Sequence, residues 1–304
     1  MYQFLESLFF NENYEYILGS WILCVGIGFF WIEKSIKRKQ QMSEGRKVER
    51  LEFWKRFCFG SAVIWILLFG VAMPVDLYFP GPWRIYTPTD PGNMKDYLNS
   101  AYITRQDSHF YKLSVFTITQ KRSDLGKVLA KINDGASEEE KALIRRYGYM
   151  YLEQKEADED REQGKKDKTK SMTNALLAAE KYLGKAIQLE NIEPFSTNGK
   201  EFGPSAGLIY ALELVHQQGD IDLIRGRKIA GTGEIKPDGT VLPIGGEDIK
   251  IYNAAKRGGM DICLLPIENY ERLQRERPGY IESMKPMKVL KVASLQDAIE
   301  QLSR

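Results

Sequence analysis

The sequence predicts an α+β domain in the C-terminal part of the chain, preceded by two transmembrane helices. Three observations carry this reading. Short β-forming runs, Ile229 to Ile235 and Ile262 to Leu265, alternate with helical apolar patterns. Gly/Pro-framed turns, around Gly203-Pro204 and Gly245-Gly246, stand directly before two of those helical patterns. Two uncharged apolar runs, at about residues 16–32 and 57–75, lie in the first quarter of the chain.

Residues 1–80 read as a membrane anchor. The second run has spanning length, and the first reaches it through Tyr16. Trp21, Trp31, Tyr78, Phe79 and Trp83 sit near the run ends, where aromatic rings suit the membrane interface. Residues 1–15 contain no Lys or Arg, so the basic region of a cleaved signal peptide is missing. The loop between the runs is basic instead, with Lys34, Lys37, Arg38, Lys39, Arg46, Lys47, Arg50, Lys55 and Arg56. Positive charge favours the cytoplasmic side, which puts the N-terminus and everything after about Pro80 on the outer side. A multi-pass cell-membrane location follows as the expectation. Across the whole chain 43 Lys+Arg nearly balance 41 Asp+Glu, so nothing pulls it toward nucleic acid.

Residues 81–195 form a strand-and-helix segment. Pro80 to Asn93 is rich in Pro, Gly and Thr and reads as a linker. Phe110 to Ile118 alternates and reads as one strand. Asp124 to Ile132 reads as a short helix. Ser137-Glu138-Glu139-Glu140 opens another, expected to run through Ile144, Tyr147 and Tyr151. Residues 153–170 are almost wholly charged, and Lys165 to Lys170 holds four lysines in six positions. A solvated helix, a loop or a binding surface all fit that composition, and the solvated face is the expected reading. Helical periodicity returns with Met172, Ala175, Leu176, Ala179 and Leu183, and ends at Gly184. Ala186 to Ile192 then reads as a strand.

The region 196–304 carries the chemistry. Ser205 sits in the turn Gly203-Pro204-Ser205-Ala206-Gly207, before the helical series Leu208, Ile209, Leu212 and Val215, with Gly219 as the expected stop. A serine there lies beside backbone N–H groups at a positive helix end, donors that suit an oxyanion. The turn also fits the G-x-S-x-G elbow of hydrolases, which requires a histidine. Only two exist. His109 precedes the motif, and His216 lies eleven residues along the same helix, about 16 Å away. Lysine can replace histidine as the base when burial keeps it neutral. Lys250, between the Gly245-Gly246 turn and the apolar face of Ile249, Tyr252 and Ala255, is the candidate. Taken singly, Ser205 could be a helix cap and Lys250 a surface lysine. Cys263, in the apolar run Ile262 to Leu265, reads as a buried structural thiol. No disulfide pair, metal-ligand spacing or cofactor motif is evident.

These residues form part of five ordered strings: Gly203-Pro204-Ser205-Ala206-Gly207; Thr232-Gly233-Glu234-Ile235; Leu242-Pro243-Ile244-Gly245-Gly246 with Lys250 four residues on; Ala254-Ala255-Lys256-Arg257-Gly258-Gly259; and Pro266-Ile267-Glu268-Asn269. Together they resemble the proteolytic domain of Lon protease, a serine–lysine peptidase, over about Ser196 to Leu302. The resemblance implies Ser205 as nucleophile, Lys250 as general base and Thr232 as the hydroxyl that orients the lysine amine, with Gly203 supporting the oxyanion donors. Phe202 departs from the pattern, because Lon has an acidic residue before its Gly-Pro-Ser. The arrangement is also similar to membrane-anchored Lon-like proteases of bacteria, but about twenty residues between Gly184 and Ser205 leave no room for their PDZ domain. No phosphate-loop motif of the full Lon ATPase occurs in the 304 residues.

The expectation is therefore a membrane-anchored, ATP-independent serine endopeptidase with a Ser–Lys dyad. It would act on peptides or unfolded protein without cofactor or metal, alone or as a homo-oligomer. A catalytically degenerate Lon-like peptide-binding adaptor is the alternative; it would need none of Ser205, Thr232 and Lys250. A G-x-S-x-G esterase is the third, disfavoured by the missing histidine.

Overall fold

The computed structural model describes residues 82–119, 134–190, 192–195 and 202–304, with isolated positions at 30, 34, 57, 59, 60, 127 and 130. Apart from those isolated positions, both expected membrane spans, their basic loop and the expected helix at Asp124 to Ile132 lie outside the described residues. Among the described residues, no helix is long and apolar enough to cross a membrane. The chain divides into two compact units: Met1–Trp83 with Ile118–Ser137 and Met150–Leu152, and Arg84–Thr117 with Glu138–Tyr149 and Glu153–Arg304. In the first, the Trp83 ring meets Tyr151 edge-on at 5.6 Å, and the Leu152 N–H donates to the Pro82 carbonyl.

The strands in order are β1 (Trp83–Tyr86), β2 (Gly92–Asn93), β3 (Phe110–Lys112), β4 (Phe116–Thr119), β5 (Tyr149–Tyr151), β6 (Ile229–Gly231), β7 (Glu234–Ile235), β8 (Val241–Leu242), β9 (Ile262–Pro266) and β10 (Lys288–Val292). The helices are α1 (Glu138–Tyr147), α2 (Gln154–Leu183), α3 (Gly207–Gln218), α4 (Glu247–Tyr252), α5 (Ile267–Glu276) and α6 (Leu295–Ser303). The second unit is built on a five-stranded sheet of order β10-β9-β6-β3-β2, parallel except for β2 against β3. The result is the mixed α+β class the patterning predicts. The expected border at residue 196 falls inside this unit, because β3 shares the sheet with β6 and β9.

Each sheet face has its own core. Phe110, Ile229, Ile262, Leu264 and Val292 point toward α2, α3 and α6. Ala230, Cys263 and Leu265 point the other way, among Ile249, Ile251 and Tyr252 of α4 and Leu273 of α5. The alternation along β9, with Cys263 on one side and Leu264 on the other, follows from the two-residue period of a strand. Helix α3 is buried from Gly207 to Gln217. Burying an aliphatic side chain such as Leu212 or Leu214 stabilises by about 1.5–3 kcal/mol each. Glu213 is satisfied inside this helix by the Ser108 hydroxyl at 2.5 Å and the Gln217 amide at 2.9 Å. Burial pushes the Glu213 carboxyl pKa up, partly offset by those two donors.

Four expectations change. Phe110 to Ile118 is two strands in separate sheets, β3 and β4, interrupted at Leu113–Val115. Ile229 to Ile235 is likewise broken at Thr232-Gly233, and its second half pairs with β8 instead of the main sheet. Helix α1 stops at Tyr147, where Gly148 turns left-handed, so Tyr151 lies in β5. Ala186 to Ile192 is not a strand. There the Glu180 carboxylate accepts from the Ile187 N–H at 2.9 Å and the Gln188 N–H at 3.1 Å, and only a Leu189–Ile192 bridge remains. The charged stretch 153–170 is the first half of α2. It is capped by a reciprocal Glu153–Glu156 box, and the helix ends at left-handed Gly184 as expected.

Candidate active site

The Ser205 turn is fastened from two sides. Its carbonyl accepts the Gly233 N–H at 2.7 Å and the Thr232 hydroxyl at 3.0 Å. The Leu208 N–H, in the first turn of α3, donates to the Gly233 carbonyl at 3.0 Å. The break between β6 and β7 therefore exists to face the turn: two backbone bonds and one side-chain bond run to α3 in place of a continuing strand. On the other side, the Gly203 N–H donates to the Gly164 carbonyl at 2.9 Å, and the Ser171 hydroxyl donates to the Pro204 carbonyl at 2.7 Å. Both acceptor and donor belong to α2.

The Gly203 N–H is thus engaged by α2. Among the described residues, the Ser205 and Ala206 N–H groups take no acceptor, and Ala206, the residue capping α3, has no side-chain cap bond. They are the donors left at this positive helix end.

Lys250 is not a surface lysine. Only 3% of it is exposed, in a helix buried at every position. Burial pushes its pKa down from 10.5 to about 7, against a smaller upward pull from Glu247 and from Cys263. The Glu247 carboxylate is held by Arg272 at 2.6 Å. Cys263 is wholly buried, and its thiol is pushed up to about 12 by burial, so it stays protonated and serves packing. Thr232 is also wholly buried. Its hydroxyl hydrogen goes to Ser205, which leaves the oxygen lone pairs as acceptors. Among the described residues no hydrogen bond links Lys250 to Ser205 or Thr232. Thr232 and Ser205 are brought together, and the Thr232 N–H donates to the Leu264 carbonyl of β9 at 3.1 Å; Lys250, on α4, is close enough to Cys263 of β9 for the two to influence each other electrostatically.

The remaining strings secure α4. Asn269 brackets Ile244, accepting its N–H at 2.9 Å and donating to its carbonyl at 2.7 Å. Gly246 is left-handed, with φ of 68°, and a Cβ there would meet Val115 Cγ2 at 2.9 Å, so the turn before α4 admits glycine alone. The Asp248 carboxylate is held by the Tyr147 hydroxyl and by Arg277 at 3.1 Å, and the Asp248 carbonyl accepts the Tyr280 hydroxyl at 2.9 Å. This mount for the lysine helix was missed by the sequence reading, as its partners come from α1 and from the segment that follows α5.

A cleft of about 180 Å³ lies beside the turn, lined by Arg84, Tyr86, Asp160, Gly164, Phe202 and Gly203. Arg84 and Asp160 pair across it. Phe202, which departs from the expected acid, is one wall; the carboxylate in the cleft comes from α2.

Residues 193–303 match the family model of the Lon protease (S16) C-terminal proteolytic domain, and this stretch is a Lon-type proteolytic domain. The chain is 35% identical to Lon protease of Campylobacter concisus over 98 residues, 32% of this chain and 12% of that protein. It is 40% identical to Lon protease of Rickettsia felis over 87 residues, 29% and 11% of the two chains. Against Lon protease of Aquifex aeolicus it is 40% identical over 79 residues, 26% and 10%. The chain thus spans about a tenth of the length of these curated relatives.

Proposed function

We propose that the protein is a membrane-anchored, ATP-independent serine endopeptidase in which Ser205 and Lys250 form the catalytic dyad. The observation that carries this reading is the burial of Lys250, which leaves a large share of its amine neutral at physiological pH. Ser205 Oγ attacks the peptide carbonyl while the Lys250 amine takes its proton. The Ser205 and Ala206 N–H groups receive the negative charge on the carbonyl oxygen, each such donor being worth roughly 3–4 kcal/mol. The lysine then protonates the leaving amine. In the second half-reaction it accepts a proton from the water that releases the acyl group. Thr232 offers its lone pairs to the amine and fixes the Ser205 carbonyl. An adaptor has no use for a buried lysine, whose desolvation only costs stability, so the peptidase reading is the stronger of the two.

The test is a pH–rate profile on an unstructured peptide. A base with folded pKa of about 7 is protonated and inactive below it, so kcat/KM should rise through that value and level off above it. A profile flat from pH 6 to pH 9 would remove Lys250 from the mechanism.

The anchor and sidedness rest on the two apolar runs and the basic loop between them. With the domain outside, substrates would be exposed peptides or unfolded segments near the outer face, cleaved without ATP. Residues 153–170 form a helix, so labelling is a better probe of sidedness than proteolysis. In intact cells a membrane-impermeant maleimide should modify an exposed Glu162→Cys variant and spare Arg46→Cys in the loop. The reverse pattern would invert the orientation.

A further inference from the structure

At the far end of α3 from Ser205, three potential ligands converge. His216 Nε2 lies 4.0 Å from Asp107 Oδ1. Taking one ligand atom from each of Asp107, His216 and Asp222, all lie within 4.8 Å of one another. Asp107 precedes β3, His216 is on α3, and Asp222 is in the loop leading to β6. Both carboxylates are exposed, whereas the histidine is wholly buried.

Two acids and a histidine near a surface are common and do not alone make a site. The second observation is the state of His216. Neither ring nitrogen has a hydrogen-bond partner among the described residues, although both are shielded from solvent. The Ile221 backbone lies near enough to act on the ring electrostatically, but without hydrogen-bond geometry. A buried imidazole without a partner forfeits the hydrogen bonds it makes in water, a cost that a bound ligand would offset. Its neighbours are otherwise satisfied: Gln217 by Thr104 and Arg105, and Glu213 by Ser108. The edge of the Phe110 ring closes one side of the imidazole at 5.9 Å between centroids, which leaves Nε2 aimed at the carboxylates. Asp222 Oδ1 accepts from the Ile224 and Arg225 N–H groups, both at 3.0 Å, so its orientation is fixed and its other oxygen remains available.

We infer that Asp107, His216 and Asp222 form a binding site for a divalent transition-metal cation of the Zn²⁺ or Mn²⁺ kind. Ligand atoms around such an ion at about 2.0–2.2 Å lie roughly 3–4 Å apart, the spacing these side chains nearly have. One imidazole with two carboxylates favours these cations over Mg²⁺ and Ca²⁺, which take all-oxygen sets. Two carboxylates and a neutral imidazole balance the charge of the ion. Arg105 is the competing cation nearby, but its guanidinium already donates to the Gly219 carbonyl at 2.8 Å. The three ligands come from three segments, so the ion would tie the C-terminal end of α3 to the edge of the sheet. It lies well away from Ser205 and plays no part in bond cleavage.

The test uses the full-length protein, stripped with a chelator and dialysed. Zn²⁺, Mn²⁺ and Mg²⁺ are then titrated by calorimetry, with metal content measured by mass spectrometry and Tm followed in parallel. The expected result is one equivalent of Zn²⁺ or Mn²⁺ per chain with a rise in Tm, and no such response to Mg²⁺. His216→Ala should remove binding. Because that variant empties a buried position, Asp222→Asn supplies the second arm: its amide oxygen can still accept from Ile224 and Arg225, so the loop is kept. It should weaken binding roughly 10-fold or more. Stoichiometric binding unchanged in Asp222→Asn, or no bound metal in the wild type, overturns the inference.

Discussion

Lys250→Arg is expected to be as inactive as Ser205→Ala, each losing on the order of 10⁴-fold or more in kcat on a peptide substrate. A guanidinium cannot give up its proton at physiological pH, so arginine keeps the charge and abolishes the base. The double variant should be no worse than either single one, because nucleophile and base act on the same proton. Stability separates loss of chemistry from loss of fold. Ser205 is half-buried at a turn, and Ser205→Ala should melt as the wild type does. Lys250→Met should be more stable than the wild type, in a pH-dependent way. The folded state holds this lysine at about 7 and the unfolded chain near 10.5, so between those values the unfolded state binds more protons and wild-type stability rises with pH. The gain from Lys250→Met should therefore be greatest at and below pH 7 and fade toward pH 10. A Lys250→Arg variant with wild-type kcat would leave Ser205 without a base.

Gly207→Ala should destabilise the fold by about 1–3 kcal/mol and lower kcat, although alanine is the better helix former. A Cβ on Gly207 would lie 2.6 Å from Ser171 Oγ, 2.9 Å from Ile235 Cγ2 and 3.0 Å from the Ile235 backbone nitrogen. The serine hydroxyl can swing aside; the strand backbone cannot. The propensity gain of up to about 1 kcal/mol applies to a helix interior and is smaller at a first residue, so the clash prevails. Relief would require the start of α3 to lift from β7, and Ser205 lies two residues upstream. Thermal melts and kcat measured on the same preparation test this. Wild-type values for both would mean that α3 does not pack against β7 as described.

How far the sequence carried the reading depended on whether local chemistry or a remote partner set each feature. Helices α3 and α4 were legible because a turn, a glycine and an apolar period coincide at each. Gly184 and Gly219 stand at the ends of their helices, the first left-handed and the second extended. The burial of β9 was legible from a run of apolar residues, and with it the inertness of Cys263. The interruptions at Leu113–Val115 and Thr232-Gly233 were not, because alternation shows that a segment is extended and says nothing of which sheet receives it. Ala186 to Ile192 failed as a strand because the Glu180 carboxylate takes its backbone donors, a partner that no strand pattern reveals. Residues 153–170 were legible as far as a solvated helix among the options; that they run on unbroken into the apolar second half of α2, with Ala157 and Lys168 turned inward, was not. At the site, Ser205 and Lys250 stood out by their turns. The bond from Gly203 to Gly164, the Asp160–Arg84 pair and the convergence of Asp107, His216 and Asp222 depend on contacts between distant segments and leave no spacing to read.

The two bonds from α2 to the serine turn are set in phase with each other. Gly164 and Ser171 are seven residues apart, close to two full turns of a helix, so they project from one side of it about 10 Å apart along the axis. They grip adjacent residues, Gly203 and Pro204. A single residue inserted between positions 164 and 171 would rotate one grip by about 100° relative to the other. Only one of the two could then hold. The length of that short stretch of α2 is thus set by the turn it holds.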